Sequence, residues 1–305
     1  MRNHPPHLYE NTPIRISPRL NSEISKEVYF KMECHQPTRS FKIRGMDHLV
    51  REQTALGIDR FIASSGGNAG YSLAYCTKRY GAFLKVFVPV TTPSDMVKRI
   101  QSEGVQVEIV GESWDEAHAA ASDYAIATHS YYVSPFDDPL LWSGHSTLVH
   151  ECVDHIHQPD LIVLSVGGGG LMCGVLHGLR NSPWAETPVL AMETHGAASL
   201  AAALKAEKVV DFGPITSDAR SLGARRVALT ALNWAMEEKV KTAAVTDEEA
   251  WDACRKFADD FQVLVEPACG ASLATVYNRV DLLGSANRIL VIACGGAGVT
   301  MGAFP

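Results

Sequence analysis

A lysine at the start of an apolar run is the first residue in this sequence that could do covalent chemistry. Lys42 lies in the stretch QPTRSFKIRG, directly after Ser40 and Phe41. Most lysines are solvated surface charges, but a lysine amine that loses its hydration can act as a nucleophile or a base. The glycine-rich turns elsewhere in the chain favour the second interpretation.

The most distinctive of these turns is SVGGGGLMCGV, where Gly167 to Gly170 stand between an apolar strand and an apolar helix. Glycines let the backbone approach a ligand closely, and N–H groups at a helix start bind anions. A flexible turn without a ligand is the alternative. It is disfavoured because each glycine costs about 0.5–1 kcal/mol relative to alanine. The turn therefore predicts a phosphate site.

Two familiar phosphate loops do not match this turn. A Walker loop requires Lys and then Ser or Thr after its last glycine, but Val175 follows Gly174. The dinucleotide fingerprint fails in both registers, because Met172 and Cys173 stand where its last glycine is required. Glu193 ends the next predicted strand, where a ribose-binding acid would lie. A non-catalytic nucleotide-binding module therefore stays open as an alternative of another class.

Two further turns join a strand to a helix. ASSGGNAG, from Ala63 to Gly70, brings two hydroxyls and an amide to a helix start, which suits a carboxylate. A simple helix cap is an equally good interpretation of that turn by itself. IACGGAG places Cys294 at the end of a strand, where a buried structural thiol is the default interpretation.

The elements that must position these turns are short apolar strands that alternate with helices along most of the chain. This alternation predicts an α/β fold with two domains, each an open twisted mostly parallel sheet flanked by helices. The stretch YYVSPFDDPL is the predicted seam. We expect a large discontinuous domain, residues 1–40 and 138–305, which would bind a cofactor. Residues 41–137 would form a small substrate-loop domain.

The composition argues against several classes of protein. The chain has 305 residues, 46% hydrophobic and 20% charged, with a net charge of -7. An acidic balance argues against nucleic-acid binding, and the longest apolar runs are too short for a membrane helix or a signal peptide. The seven cysteines include no C-x-x-C pair, which favours a reducing cytoplasm over disulfides or a zinc site.

A lysine, a phosphate site and a carboxylate site together suit pyridoxal 5'-phosphate (PLP) and an amino-acid substrate. With these motifs, the chain resembles the serine/threonine dehydratases, in the L-serine dehydratase branch of the fold type II (β-family) PLP enzymes. QPTRSFKIRG is similar to their lysine motif, SSGGNAG to their substrate loop, SVGGGGLMCGV to their phosphate loop and ACGG to the segment facing the pyridine nitrogen. The resemblance extends from about Thr12 to Gly298.

The resemblance implies roles for individual residues. Lys42 would be the Schiff-base lysine and the catalytic base, with Phe41 and Ser221 on the two faces of the cofactor ring. Asn68 would contact the phenolic oxygen. Cys294 would contact the pyridine nitrogen, and a thiol there would leave it unprotonated and favour β-elimination.

Three further sets of residues follow from the same resemblance. The phosphate would be held by N–H groups of Gly167, Gly168, Gly169, Gly170 and Leu171. The substrate carboxylate would be held by Ser64, Ser65, Gly66, Asn68 and Ala69. A monovalent cation, with K+ as the candidate, would be bound by Glu193, Ser199 and the carbonyls of Ala197 and Leu222. The alternative for Glu193 is a salt-bridged acid at a strand end.

The implied activity is the dehydration and deamination of L-serine or L-threonine to pyruvate or 2-oxobutyrate plus ammonia. A serine racemase or a hydroxyaspartate dehydratase would keep the same motifs. The family also implies a homodimer. Gly66 stands where several relatives carry alanine. The given sequence ends soon after ACGG, so AGVTMGAFP is either a short C-terminus or a truncation, and we expect no regulatory domain.

Overall fold

The computed structural model describes residues 6–238 and 240–304. Within them the chain forms two β-sheets with helices packed on their faces, so the predicted α/β class is confirmed. The strands are, in chain order, β1 Ile14–Arg15, β2 Glu27–Lys31, β3 Arg60–Ala63, β4 Phe83–Val88, β5 Gln106–Ile109, β6 Tyr131–Val133, β7 Leu161–Ser165, β8 Val189–Thr194, β9 Lys241–Val245 and β10 Arg288–Ile292.

The large sheet has the order β1-β2-β10-β7-β8-β9, and the small sheet has the order β5-β4-β3-β6. All neighbours are parallel except β1, which runs antiparallel to β2 at the sheet edge. Every residue of β7 is buried, as expected for a central parallel strand covered on both faces. Parallel strands place their carboxyl ends along one edge of each sheet, where a ligand would bind.

The α-helices of the described residues connect these strands. They are α1 Pro18–Ile24, α2 Lys42–Ala55, α3 Asn68–Tyr80, α4 Ser94–Gln101, α5 Trp114–Ala127, α6 Pro139–Val153, α7 Gly170–Arg180, α8 Ser199–Ala206, α9 Leu229–Glu237, α10 Asp247–Phe261 and α11 Pro267–Tyr277. None of the helices in this part of the chain is long and apolar enough to cross a membrane.

Local sequence signals explain where the helices begin. Thr246 and Glu249 form a capping box at the start of α10, and Ser113 and Glu116 form another at the start of α5. Asp138 accepts a hydrogen bond from the backbone N–H of Leu140 at the start of α6. Helix α2 begins at Lys42 itself and packs between α3 and α6.

The two sheets use separate parts of the chain. The strands of the small sheet lie between Arg60 and Val133, and those of the large sheet lie before and after them. The turn from Ser134 to Asp138 then leads into α6. The domain limits 1–40 with 138–305 and 41–137 stay a prediction, and residues 1–5, 239 and 305 of the large domain lie outside the described residues.

Candidate active site

Lys42 is half-buried at the first position of α2, and its Nζ donates a hydrogen bond to the carbonyl oxygen of Pro135 at 2.6 Å. Nζ also lies 5.1 Å from the centre of the Phe41 ring. Loss of hydration lowers the pKa of the Lys42 amine from 10.5 to about 8, and the nearby Cys294 opposes this shift. No carboxylate is paired with the amine among the described residues. The setting is that of a reactive amine and not of a surface charge.

The segment that contains Cys294 is hydrogen-bonded to the two residues that precede Lys42. The backbone N–H of Phe41 donates to the carbonyl oxygen of Cys294 at 3.2 Å, and Ser40 pairs with Gly295 as an isolated β-bridge. The Cys294 thiol is buried, and a hydrogen bond with Cys269 together with burial raises its pKa well above the usual value. The thiol therefore stays protonated and can donate or accept a weak hydrogen bond.

The glycine turn after β7 packs too tightly for any side chain. A Cβ on Gly168 would lie 2.3 Å from the Phe136 ring, and one on Gly170 would lie 2.8 Å from the Phe136 carbonyl oxygen. Gly169 has a φ of 98°, which L side chains rarely adopt. Phe136 follows Pro135, whose carbonyl oxygen accepts the hydrogen bond from Lys42. The glycine turn and the Lys42 amine therefore contact two consecutive residues of the chain.

The backbone of this turn has free hydrogen-bond donors. Within residues 6–238 and 240–304, the N–H groups of Gly167 to Leu171 have no protein acceptor. They precede α7, whose N-terminal dipole adds to their attraction for a negative charge. Unpaired backbone donors in consecutive positions are rare in a protein interior. The turn thus has the donor set that a phosphate requires.

Asn68, Ser221 and Glu266 form a hydrogen-bonded cluster. Ser221 Oγ donates to Glu266 Oε2 at 2.6 Å, and Asn68 Nδ2 donates to the same carboxylate oxygen at 3.1 Å. Glu266 Oε1 accepts from the backbone N–H of Gly298 at 2.7 Å, and Asn68 Oδ1 accepts from that of Ala297 at 2.8 Å. The cluster joins the turn after β3 to the segment that follows Cys294.

The turn after β3 has a similar set of donors. The backbone N–H groups of Ser65, Gly66, Asn68 and Ala69 have no protein acceptor in the part of the chain that the structure describes. A Cβ on Gly66 would lie 2.5 Å from Thr92 Cγ2, so Thr92 occupies the space that alanine would need. Ser64 is fully buried, and its hydroxyl is bonded to Tyr132. The free donors suit a carboxylate.

The residues assigned to a cation lie together beneath the glycine turn. Glu193 is buried at the end of β8 and accepts from the backbone N–H groups of Leu200 and Ala201 at 2.8 and 2.9 Å. Burial raises the pKa of Glu193 to about 7. Ser199 Oγ donates to the Gly167 carbonyl at 3.4 Å. Ala197 pairs with Thr194 as an isolated bridge, and the backbone of Leu222 touches Gly167.

These residues make no cluster of carboxylate, thiolate and imidazole ligands. The described ranges contain no group of three or more His, Cys, Asp or Glu side chains that could hold a metal ion. A cation at this place would be bound mainly by carbonyl and hydroxyl oxygens, as expected for a hard ion.

Sequence reasoning missed four residues of the site: Pro135, Phe136, His145 and Glu266. His145 is fully buried with neither ring nitrogen hydrogen-bonded, and its ring packs edge-on to Phe41 with centres 4.9 Å apart. Burial holds the pKa of His145 well below its usual value. Pro135 and Phe136 lie in the predicted seam YYVSPFDDPL, but the seam does not indicate which residues they would meet.

The arrangement offers a weakly hydrated amine bonded to Pro135, a run of free N–H groups that packs on the adjacent Phe136, and a second run of free N–H groups after β3 that Asn68 joins to Ser221. These parts fit a cofactor that carries a phosphate and an aldehyde, because the amine can bond the aldehyde carbon while the glycine turn binds the phosphate. The N–H groups of the turn after β3 are then free to bind the carboxylate of a substrate.

Comparison with known proteins supports this assignment. Residues 6–295 match the family model described as pyridoxal-phosphate dependent enzyme. The chain is 43% identical to the L-serine dehydratase/L-threonine deaminase of Mus musculus, with 96% of this chain and 93% of the mouse protein aligned.

Solved structures with the same fold extend this comparison. A fungal L-serine ammonia-lyase from Rhizomucor miehei superposes with a TM-score of 0.91 at 31% identity, covering 97% of this chain and 96% of that one. A maize serine racemase superposes with a TM-score of 0.90 at 22% identity, covering 96% and 90%. The second likeness shows the shared fold alone.

Proposed function

The chain belongs to the family of pyridoxal-phosphate dependent enzymes, and on that premise we propose that it is a PLP-dependent ammonia-lyase, an L-serine/L-threonine dehydratase. It releases pyruvate or 2-oxobutyrate together with ammonia. The observation that carries the proposal is the convergence of the Lys42 amine, the free N–H groups of Gly167 to Leu171 and the free N–H groups of the turn after β3. Similarity to the mouse and fungal enzymes supports the choice of substrate.

Each part of the cleft has its own task in the reaction. When bound, PLP supplies an aldehyde carbon for amine exchange and a conjugated ring that withdraws electrons from the substrate Cα. The glycine turn would hold its phosphate, and Phe41 and Ser221 would flank its ring. Asn68 would donate to the phenolic oxygen, and the protonated Cys294 thiol would contact the pyridine nitrogen. A ring nitrogen left neutral there would withdraw fewer electrons, which would favour loss of the β-hydroxyl.

Lys42 moves the proton. Its Nζ, with a pKa lowered to about 8, is a base of suitable strength near neutral pH and takes the proton from the substrate Cα. The backbone N–H groups of Ser65, Gly66 and Ala69, with the side chains of Ser64 and Asn68, hold the substrate carboxylate. This fixes the Cα–H bond toward the amine.

The direct test measures product release. Purified protein supplied with PLP is expected to form pyruvate from L-serine and 2-oxobutyrate from L-threonine, followed through lactate dehydrogenase. Lys42→Ala, assayed alongside, should lose turnover by at least about 10³-fold because it removes the base. If neither keto acid appears above the Lys42→Ala background, the proposed function is wrong. D-serine found by chiral chromatography would identify a racemase, and turnover confined to 3-hydroxyaspartate would identify the other dehydratase.

The same proposal includes a K+ site at Glu193, Ser199 and the carbonyls of Ala197 and Leu222. The contacts of Ser199 and Leu222 with Gly167 support it, since a cation there would stabilise the glycine turn. A bound cation would also favour the ionised form of Glu193. Activity should rise when K+ replaces tetramethylammonium at constant ionic strength. Equal activity in the two salts would remove the cation from the proposal.

The assembly and compartment are also proposals. The domain limits given above define the two units, and the functional form is a homodimer, for which sedimentation should give twice the 33.1 kDa of one chain. The cysteines are all free and buried, which is consistent with a cytoplasmic protein. Fractionation of cells that express a tagged chain would test the compartment.

A further inference from the structure

The 3-10 turn Arg220–Leu222 carries two residues of the proposed site. Ser221 would lie on one face of the cofactor ring, and the carbonyl of Leu222 belongs to the proposed cation site. The backbone of Leu222 also touches Gly167 in the glycine turn after β7. The 3-10 turn lies in the irregular stretch between α8 and α9, and such stretches are mobile unless other elements hold them. The position of Ser221 therefore depends on what binds this stretch.

Asp247, the first residue of α10, binds the residues that lead into the 3-10 turn. Its Oδ2 accepts from the backbone N–H of Asp218 at 3.1 Å, and its Oδ1 accepts from the Ser217 hydroxyl at 2.5 Å. The oxygen of that hydroxyl accepts in turn from the backbone N–H of Ala219 at 3.0 Å and from Thr194 Oγ1 at 2.7 Å. Three consecutive residues, 217 to 219, are thus bound to one carboxylate, directly or through Ser217.

The directions of these hydrogen bonds follow from the groups themselves. A carboxylate oxygen can only accept, and a backbone N–H can only donate. The Ser217 hydroxyl must therefore give its single proton to Asp247 and accept from Ala219. Its second lone pair accepts from the Thr194 hydroxyl. Hydrogen bonds to a carboxylate are stronger than those between neutral groups, so Asp247 is the main anchor of the set.

Trp251 provides a second anchor from the same helix. It follows Asp247 by four residues, so both side chains lie on one face of α10. The indole Nε1 donates to Asp218 Oδ2 at 3.1 Å. The Trp251 side chain is buried, and its ring packs edge-on against Phe304 with centres 5.3 Å apart. Helix α10 therefore binds Asp218 twice, at the backbone N–H and at the carboxylate.

The 3-10 turn connects Asp218 with Ser221, three residues later. The carbonyl oxygen of Asp218 accepts from the backbone N–H of Arg220 at 2.8 Å, which fixes the start of the turn. The Ser221 hydroxyl then donates to Glu266, the residue that caps the start of α11. The backbone before Ser221 is thus held by α10, and its hydroxyl is held at the start of α11.

The start of α10 does not require Asp247 for its own stability. Thr246 and Glu249 form the capping box, and Glu248 places a further negative charge in the first turn. Both carboxylate oxygens of Asp247 bind the irregular stretch instead. The contribution of Asp247 is therefore to that stretch and not to the helix.

We propose that Asp247 and Trp251 are positioning residues, which hold the Arg220–Leu222 turn so that Ser221 lies against one face of the PLP ring. The inference rests on the proposed function, in which Ser221 flanks that ring. Both residues act through Asp218. Loss of either anchor lets the turn move, so the cofactor ring is held less firmly and PLP binds more weakly.

The first measurement tests the anchoring alone and uses the full chain as purified. Amide hydrogen exchange, followed by mass spectrometry, would be compared for peptides that cover residues 215–223. Asp247→Ala removes the acceptor of two hydrogen bonds, so exchange in these peptides should be faster by about tenfold. Glu248→Ala, exposed in the same helical turn, is the matched control and should exchange as the wild type does. Equal exchange in all three proteins would overturn the anchoring role.

The second measurement asks whether the anchors matter to the cofactor. The Kd for PLP should rise about tenfold in Asp247→Ala and about threefold in Trp251→Phe, which loses only the indole donor. Asp247→Asn keeps an acceptor for the Ser217 hydroxyl and should recover part of the affinity. The circular dichroism band of bound PLP should weaken in the same order, which loss of stability alone would not cause.

The outcomes separate this inference from the proposed function. Wild-type Kd and dichroism in both Asp247→Ala and Trp251→Phe would overturn the positioning role, while Glu248→Ala should match the wild type. A wild-type protein that binds no PLP would instead overturn the proposed function. In that case the exchange measurement still decides whether α10 anchors the turn.

Discussion

At the scale of single residues, the proposed role of Lys42 leads to a kinetic prediction. Only the neutral amine can attack an aldehyde, and the neutral fraction rises as pH increases through the pKa. Burial lowers that pKa from 10.5 to about 8. The rate at which cofactor-free protein incorporates PLP should therefore rise with pH and level off above a midpoint near 8. Stopped-flow absorbance would measure it, and a rate that keeps rising in proportion to hydroxide from pH 8 up to about pH 10.5 would indicate an ordinary exposed lysine.

Glu266, which the sequence did not single out, is expected to orient the proposed cofactor contacts Asn68 and Ser221. Glu266→Ala leaves Asn68 Nδ2, Ser221 Oγ and the Gly298 N–H without their acceptor. We expect the free energy of unfolding to fall by about 1–3 kcal/mol and PLP to bind more weakly. Urea titration and a PLP binding isotherm would measure both quantities. The exposed Glu186→Ala is the control, and equal behaviour of the two variants would contradict this role.

At the scale of elements, the glycine turn before α7 tests how tightly the phosphate site is built. Gly168→Ala would place a methyl group 2.3 Å from the Phe136 ring, so the turn or the ring must move. Because Phe136 adjoins the carbonyl that binds Lys42, PLP affinity should fall by about tenfold or more. Gly302→Ala, where a Cβ meets no atom within 4 Å, is the matched control. An unchanged PLP affinity in Gly168→Ala would show that the turn does not bind phosphate.

A buried ion network fixes the helix that begins with the lysine. Arg44 of α2 donates to both carboxylate oxygens of Glu33 at 2.7 and 2.8 Å and also binds Glu151 of α6. Arg44→Met leaves the buried Glu33 carboxylate without its ion-pair partner, while Glu151 keeps Lys31. We expect the free energy of unfolding to fall by about 3–5 kcal/mol. Arg19→Met, which breaks an exposed pair with Asp260, should lower it by about 1 kcal/mol or less. Equal losses in thermal unfolding would contradict the network's importance.

These elements also show what the sequence could predict. The alternation of strands and helices was enough to predict two parallel sheets, because hydrophobic periodicity is a local property. The glycine-rich turns were likewise predicted to follow strands, and they lie after β3, β7 and β10. By contrast, Glu266 meets Asn68, which lies 198 residues away in sequence. Pro135 likewise bonds Lys42 at a separation of 93 residues. Contacts between distant elements depend on the packing of helices and sheets, which periodicity does not specify.

At the scale of the whole molecule, the proposed site combines one motif from the small sheet with several from the large sheet. In this proposal the turn after β3 would donate to the substrate carboxylate. The turns after β7 and β10 would provide the phosphate donors and Cys294, and α2 would provide the Lys42 amine. Hydrogen bonds from Asn68, after β3, to Ser221 and Glu266 join the two sets of motifs.

The measurement that tests this account most directly is identification of the lysine that bonds PLP. The PLP-loaded protein would be reduced with borohydride, digested, and its peptides mapped by mass spectrometry. The account predicts a phosphopyridoxyl group on the peptide that contains Lys42 and on no other lysine. Modification of a different lysine, or no stable modification under conditions where keto acid is formed, would contradict the central claim.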